Sequence, residues 1–197
     1  MLTLTPTDLS PRKEEILRFA QELFSQQGYA ATSMRDLAKV LDIKPASLYS
    51  HYTSKEDMLW EIALRGAEAF QAGLADLDLK QGEPKQLMQE MIASHVAVII
   101  AHKDASAVFF KEWQRLSEPR RSAFAQLIHT YEQAFVRVIE RGVAQGVFEP
   151  MPTKFTSSML LAAINWIQHW YQAGGSMQPS EIAQQCQRFL LAGLLKL

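Results

Sequence analysis

The chain has a single cysteine, Cys186, so no intramolecular disulfide can form, and a reducing, cytoplasmic setting is expected. Glycine and proline are also scarce, at nine and eight of 197 residues. That leaves few of the tight turns a sheet-rich fold needs and favours helices, with 48% hydrophobic residues to fill a core. Long apolar runs are missing as well. "VAVIIA" and "MLLAAI" fall far short of the about 18 residues that a bilayer-spanning helix requires, so no membrane segment is expected. The opening "MLTLTPTDLS" lacks the cationic start and continuous apolar stretch of a secretory signal. Charge of one sign is lacking too: the net charge is -1, and residues 1–56 set seven cations against seven acids. Any polyanion binding must therefore come from where the cations sit, since nearby phosphates respond to local charge. There is no glycine-rich phosphate loop and no Cys/His cluster at metal spacing. His95 and His102 share a helical face but stand seven residues, about 10.5 Å, apart, too far for one metal. The pattern offers nothing to an enzyme, and no cofactor or metal is expected.

What is present is helical punctuation. Pro11, Pro45, Pro84, Pro119 and Pro179 each stand just before a stretch of helical periodicity, as first-turn prolines do. The first helix is expected over about 10–27, with Ile16, Ala20, Leu23 and Phe24 on one face and Gly28 as its stop. Ser33 with Asp36 reads as a capping box opening a short second helix, striped by Met34, Leu37, Ala38 and Leu41. A still shorter third helix runs from Pro45 to about Tyr52, and Ser54 with Asp57 opens a long fourth. Five further helices follow, over about 84–102, 104–116, 119–144, 153–173 and 179–195, with "GVFEPMP" as the clearest loop. The expected class is all-α.

Two features point beyond the fold. The eighth of these helices carries one apolar stripe through Phe155, Met159, Ala162, Ala163, Trp166 and Trp170, and another through Leu160, Ile164, Ile167 and Tyr171. A helix apolar on two sides must be covered on two sides. The last helix, with Ile182, Cys186, Phe189, Leu190, Gly193, Leu194 and Leu197, also exceeds what one neighbour needs, so a second copy of the chain is the expected cover. Leu160, Ile164, Ile167, Tyr171, Phe189, Leu190, Gly193 and Leu194 are assigned to that homodimer interface, although periodicity leaves open which stripe of the eighth helix faces the partner.

The second feature is a pair of short helices joined by "LDIK", the second polar on the side away from Leu48 and Tyr52, as a helix-turn-helix requires. Leu48 and Tyr52 anchor the recognition helix and leave Ala46, Ser47, Tyr49 and Ser50 facing outward. The amides beside Ser33 and Lys55 are suited to phosphates, Tyr49 and His51 to neutral backbone contacts, and Lys44 and Lys55 add charge. Pro45 completes the face, and Arg35 on the second helix is the candidate for bidentate base reading, which the third helix cannot supply. The expected partner is a double-stranded DNA operator. A helical adaptor that binds only protein is the competing class.

The segment "ATSMRDLAKVLDIKPASLYSHYTSKEDML" closely resembles the DNA-binding domain of the tetracycline-repressor family of bacterial regulators, over about residues 10–60. Two positions depart from the usual pattern: Lys44 stands where a capping Ser or Thr is common, and Tyr52 replaces a phenylalanine. The resemblance implies a helix-turn-helix domain at 1–56 and an effector-binding and dimerisation domain at 57–197. It also implies a repressor released from a palindromic operator by a small hydrophobic effector. Candidate liners of the implied pocket are Met88, Phe109, Phe110, Trp113, Tyr131, Trp166 and Trp170, with His95 and Asn165 as polar groups on largely apolar helices. The ending "NWIQHWYQAGGSMQPSEIAQQCQRFLLAGL" looks like family members that respond to acyl-coenzyme A thioesters.

Overall fold

The structure is a computed structural model that describes residues 9–78 and 81–195. Leu197, placed on the last apolar stripe by its spacing, lies outside the described residues. The helices run α1 Pro11–Gln27, α2 Met34–Val40, α3 Pro45–Tyr49, α4 Lys55–Asp78, α5 Pro84–Ala101, α6 Lys103–Glu112, α7 Arg120–Ala144, α8 Thr153–Asn165, α9 Ile167–Trp170 and α10 Pro179–Ala192. A 3-10 turn, Trp113–Arg115, extends α6. The all-α class holds: among the described residues the β-type pairing is a single bridge between Phe148 and Leu195. No single helix there is long and apolar enough to cross a membrane.

Local sequence signals place most of these elements. Pro11, Pro45, Pro84 and Pro179 occupy first-turn positions, where no intrahelical donor is lost. Pro119 instead follows a cis peptide and stands just before α7. The Ser33–Asp36 capping box is complete, with Ser33 Oγ accepting from the Asp36 amide and the Asp36 carboxylate accepting from Ser33 N at 2.8 Å. At the start of α4 only half the box forms: Asp57 N donates to Ser54 Oγ at 3.1 Å, while the Asp57 carboxylate takes Thr53 Oγ1 and Arg120. The helix expected over 153–173 breaks at Trp166, so α8 and α9 are separate.

The chain packs as two compact units, Met1–Glu68 with Asp104–Gln126, and Ala69–Lys103 with Leu127–Leu197. The core of the first gathers Ile16, Ala20, Phe24, Leu37, Leu48, Met58 and Leu59, joined by Phe109 and Phe124 from distant sequence. The α6–α7 corner is stitched to the start of α4 by Arg120, which donates to Asp57 at 2.6 Å, and by Ser117 Oγ, which donates to Glu56 at 2.7 Å. In the second unit α5 lies along α10, with Gln187 Nε2 donating to Gln89 O at 2.8 Å. Leu87, Met91, Ile92 and Ile99 on α5, and Ile182 and Leu191 on α10, are all buried in that unit.

Candidate DNA-binding face and effector region

The recognition helix is built as its pattern demands. Leu48 is fully buried and Tyr52 nearly so, and they hold α3 against the rest of the first unit. Lys44, Pro45, Ala46, Ser47, Tyr49 and Ser50 are left exposed, with His51 half-buried at the end. Lys44 is the N-cap residue of α3 in extended backbone, and its side chain makes no capping bond, so its ammonium remains on the exposed face. Asp42, at φ +51°, makes the left-handed step in the turn between α2 and α3. Ser33 and Arg35 are exposed at the start of α2. Asp36 and Asp42 are exposed in the same stretch. Lys55 has a use that its sequence position does not reveal. Its Nζ donates to the carbonyls of Tyr29 and Thr32, at 2.6 Å each, and sits 4.1 Å above the Tyr29 ring. Burial lowers the Lys55 pKa, Arg115 lowers it further, and Glu112 opposes both.

The candidate effector residues divide between the two units. In the first, Phe109 packs edge-on against Phe110 at 4.9 Å and Phe124 at 5.3 Å, and Trp113 lies 5.7 Å from Phe124. In the second, three polar residues from three helices meet in an apolar setting. His95 on α5 is 2% exposed, with Nδ1 2.7 Å from Tyr131 Oη and Nε2 2.7 Å from Asn165 Oδ1. A carboxamide oxygen only accepts, so Nε2 carries the imidazole proton and Nδ1 accepts from the Tyr131 hydroxyl. Phe70 stacks on the imidazole at 4.7 Å, and Phe135 closes a further edge at 6.3 Å. Burial drives the His95 pKa down to about 4 against the pull of Asn165, so the ring is neutral; burial also raises the Tyr131 phenol. Met88 is buried on the same helix as His95.

The two stripes of the eighth expected helix differ in burial. Leu160, Ile164 and Ile167, with Leu194 of the C-terminal segment, are already buried inside one chain and have no surface to offer a partner. Trp166 and Trp170, expected inside a pocket, are exposed with Phe155 and Met159, at 62% for Trp166 and 64% for Phe155. Helical spacing identifies two apolar faces but carries no information on which neighbour covers each. Phe189 on α10 is 79% exposed and divides two apolar grooves. One groove includes Trp170, Met177 and Cys186; the other includes Phe155, Met159 and Gly193. Tyr171 and Leu190 are half-buried, and Gly193 is exposed.

Sequence reasoning missed the contacts that 104–121 makes with the N-terminal helices of its own unit. Glu112, Ser117 and Arg120 lie more than 60 residues from Tyr29, Glu56 and Asp57, and no spacing rule links them. A buried carboxylate between aromatic neighbours in "FFKEW" was the available signal.

Comparison with known proteins supplies the family. Residues 16–62 match the model of bacterial regulatory proteins of the tetR family, and residues 81–194 match that of the tetracyclin repressor-like C-terminal domain. The HTH-type transcriptional repressor KstR2 of Mycolicibacterium smegmatis is 29% identical over 96% of this chain and 94% of its own. The structure of the ketosteroid transcriptional regulator KstR2 of Mycobacterium tuberculosis superposes with a TM-score of 0.89 at 26% identity, covering 98% of this chain and all of that one. AibR, in complex with isovaleryl coenzyme A and operator DNA, shares the fold with a TM-score of 0.81 at 20% identity, over 90% of this chain and 97% of its own. The family consists of DNA-binding transcription regulators and not enzymes. With both halves matched in order along one chain, this protein belongs to the tetracycline-repressor family of bacterial regulators.

Proposed function

We propose that this chain is a cytoplasmic, homodimeric repressor that leaves a palindromic operator when a small hydrophobic effector binds. Residues 1–56 carry the operator contacts, and 57–197 carry the effector site and the dimer interface. The observation that bears most weight is the exposed polar face of α3 held on buried Leu48 and Tyr52. Ala46, Ser47, Tyr49 and Ser50 enter the major groove, and Lys44, His51 and the start of α2 with Ser33 and Arg35 meet the backbone beside it. Two such helices about 34–36 Å apart read successive turns of one side of the duplex.

Dimerisation uses the outward face of α8 to α10, with Phe155, Met159, Trp166, Trp170 and Phe189. Contiguous apolar surface of this kind marks an interaction site, and a two-fold axis lets one patch cover its own copy. The effector lies against the aromatic rings of α6 or the polar trio of His95, Tyr131 and Asn165. An acyl-coenzyme A thioester is the leading class, supported by the C-terminal resemblance and by AibR, which was solved with isovaleryl coenzyme A. The effector acts by favouring a state with wider recognition-helix separation, since a ligand indifferent to the two states shifts nothing.

Recovery of sheared genomic DNA on the purified protein, with and without a mixture of acyl-coenzyme A thioesters, tests the reading. Enrichment of a palindrome that thioesters abolish is the expected result. A palindrome indifferent to thioesters refutes that effector class. No enrichment at all refutes the repressor and leaves a protein-binding adaptor.

A further inference from the structure

The turn between α1 and α2 is held from two sides by groups remote in sequence. Gly28 ends α1 with φ +86°, and Thr32 Oγ1 donates back to Gly28 O at 2.9 Å. Lys55 takes the carbonyls of Tyr29 and Thr32 from one side. From the other, the Glu112 carboxylate accepts the Tyr29 amide at 3.3 Å through Oε1 and Arg115 Nε at 2.7 Å through Oε2. A second tie to α1 is Ser25 Oγ, which donates to Asp104 at 3.1 Å. Glu112 is 3% exposed. A carboxylate so buried is costly unless it is paired and hydrogen-bonded, and here Arg115 and the Tyr29 amide meet that need. Its negative charge makes it no partner for a phosphate, so reading DNA directly does not explain it.

We infer that Glu112 is a positioning residue for operator binding: its carboxylate fixes the Gly28–Thr32 turn and, through that turn, the placement of α2 with Ser33 and Arg35. The inference rests on the operator reading proposed above. The path is short, because Thr32 is buried and directly precedes the Ser33 cap. Glu112 also shares its segment with Phe109, Phe110 and Trp113. The segment is tightly seated as well: a Cβ on Gly66 of α4 would fall 2.9 Å from the Phe109 ring.

The test uses full-length wild type, Glu112→Ala and Glu112→Gln. The probe is a duplex that the wild type enriches from a random-sequence library, read by titration and by hydrogen-exchange mass spectrometry of the free proteins. Glu112→Ala is expected to bind that duplex about tenfold more weakly, the loss of one charge-assisted contact, while an unrelated duplex binds as before. Exchange should accelerate over the turn and α2 but not over α10. Glu112→Gln keeps an acceptor without the charge and should lose only about threefold. Affinity within about twofold of wild type together with unchanged exchange at the turn overturns the inference, as does acceleration spread evenly over the chain. Should Glu112→Ala not fold, Glu112→Gln decides by the same two readouts. If the wild type enriches no duplex, the operator reading fails, and exchange at the turn alone decides whether Glu112 holds it.

Discussion

Phe189→Arg, set beside Leu160→Ala, tests whether the outward apolar face of α8 to α10 is the dimer interface. Phe189 is 79% exposed in one chain and divides two apolar grooves, so nearly all of its surface is available to a partner. A phenylalanine buries roughly 200 Å² when fully covered, so the partner would cover about 150 Å² of each ring. At about 25 cal/mol per Å², that is about 4 kcal/mol per ring. The two-fold axis counts the ring twice, and arginine adds the cost of two unpaired guanidinium groups facing each other. The side-chain freedom that each ring gives up on being covered offsets part of the total. A net loss of about 5 kcal/mol still raises the dissociation constant more than about a thousandfold. Sedimentation at micromolar concentration should therefore show a folded monomer with near wild-type helicity, unable to hold both halves of a palindrome. The parallel change Leu160→Ala probes the other apolar stripe of the eighth expected helix. Leu160 is interior, so this variant should lose about 2–5 kcal/mol of stability and keep its dimer. A Phe189→Arg protein that sediments as a dimer, beside a folded monomeric Leu160→Ala, would refute the reasoning.

Three further changes probe the interior. The neutral, buried His95 titrates at about 4 in the folded chain against 6.5 unfolded, so the unfolded state binds the extra proton between those values. Its stability contribution is complete above about pH 6.5 and is lost as pH falls toward 4; melting curves should show this slope, at most about 3 kcal/mol, shrinking in His95→Gln. The Tyr52 hydroxyl is buried without a hydrogen-bond partner among the described residues, and burial pushes its pKa up to about 12. Tyr52→Phe should stabilise the protein by about 1 kcal/mol in chemical denaturation, and any destabilisation would reveal an unrecognised partner. A Cβ at Gly142 would fall 2.1 Å from the ring of Phe148, which is itself fully buried. Gly142→Ala should cost on the order of 2 kcal/mol or more, and an unchanged melting temperature would show that the ring relocates freely.

Short-range rules made much of the chain legible. The Ser33–Asp36 box, four of the five first-turn prolines and the anchors Leu48 and Tyr52 depend on residues within one or two turns of each other, and all appear as their spacing requires. His95 and Asn165 were marked as polar groups on apolar helices, and burial forces such groups to find partners; they found each other, with Tyr131. Helical periodicity likewise showed that α8 has two apolar faces. Which face turns inward depends on α5 packing against α8 and α9, which leaves Leu160, Ile164 and Ile167 buried and Trp166 and Trp170 exposed. Lys55 and Glu112 are the clearest cases of what lies beyond local pattern. A charged side chain reads as solvent-facing until the fold brings it a carbonyl or an amide from 23 to 83 residues away. Amphipathic spacing encodes that a helix forms and that it must be covered, because those depend on neighbours along the chain; the identity of the cover depends on close packing between segments that meet only when the chain has folded.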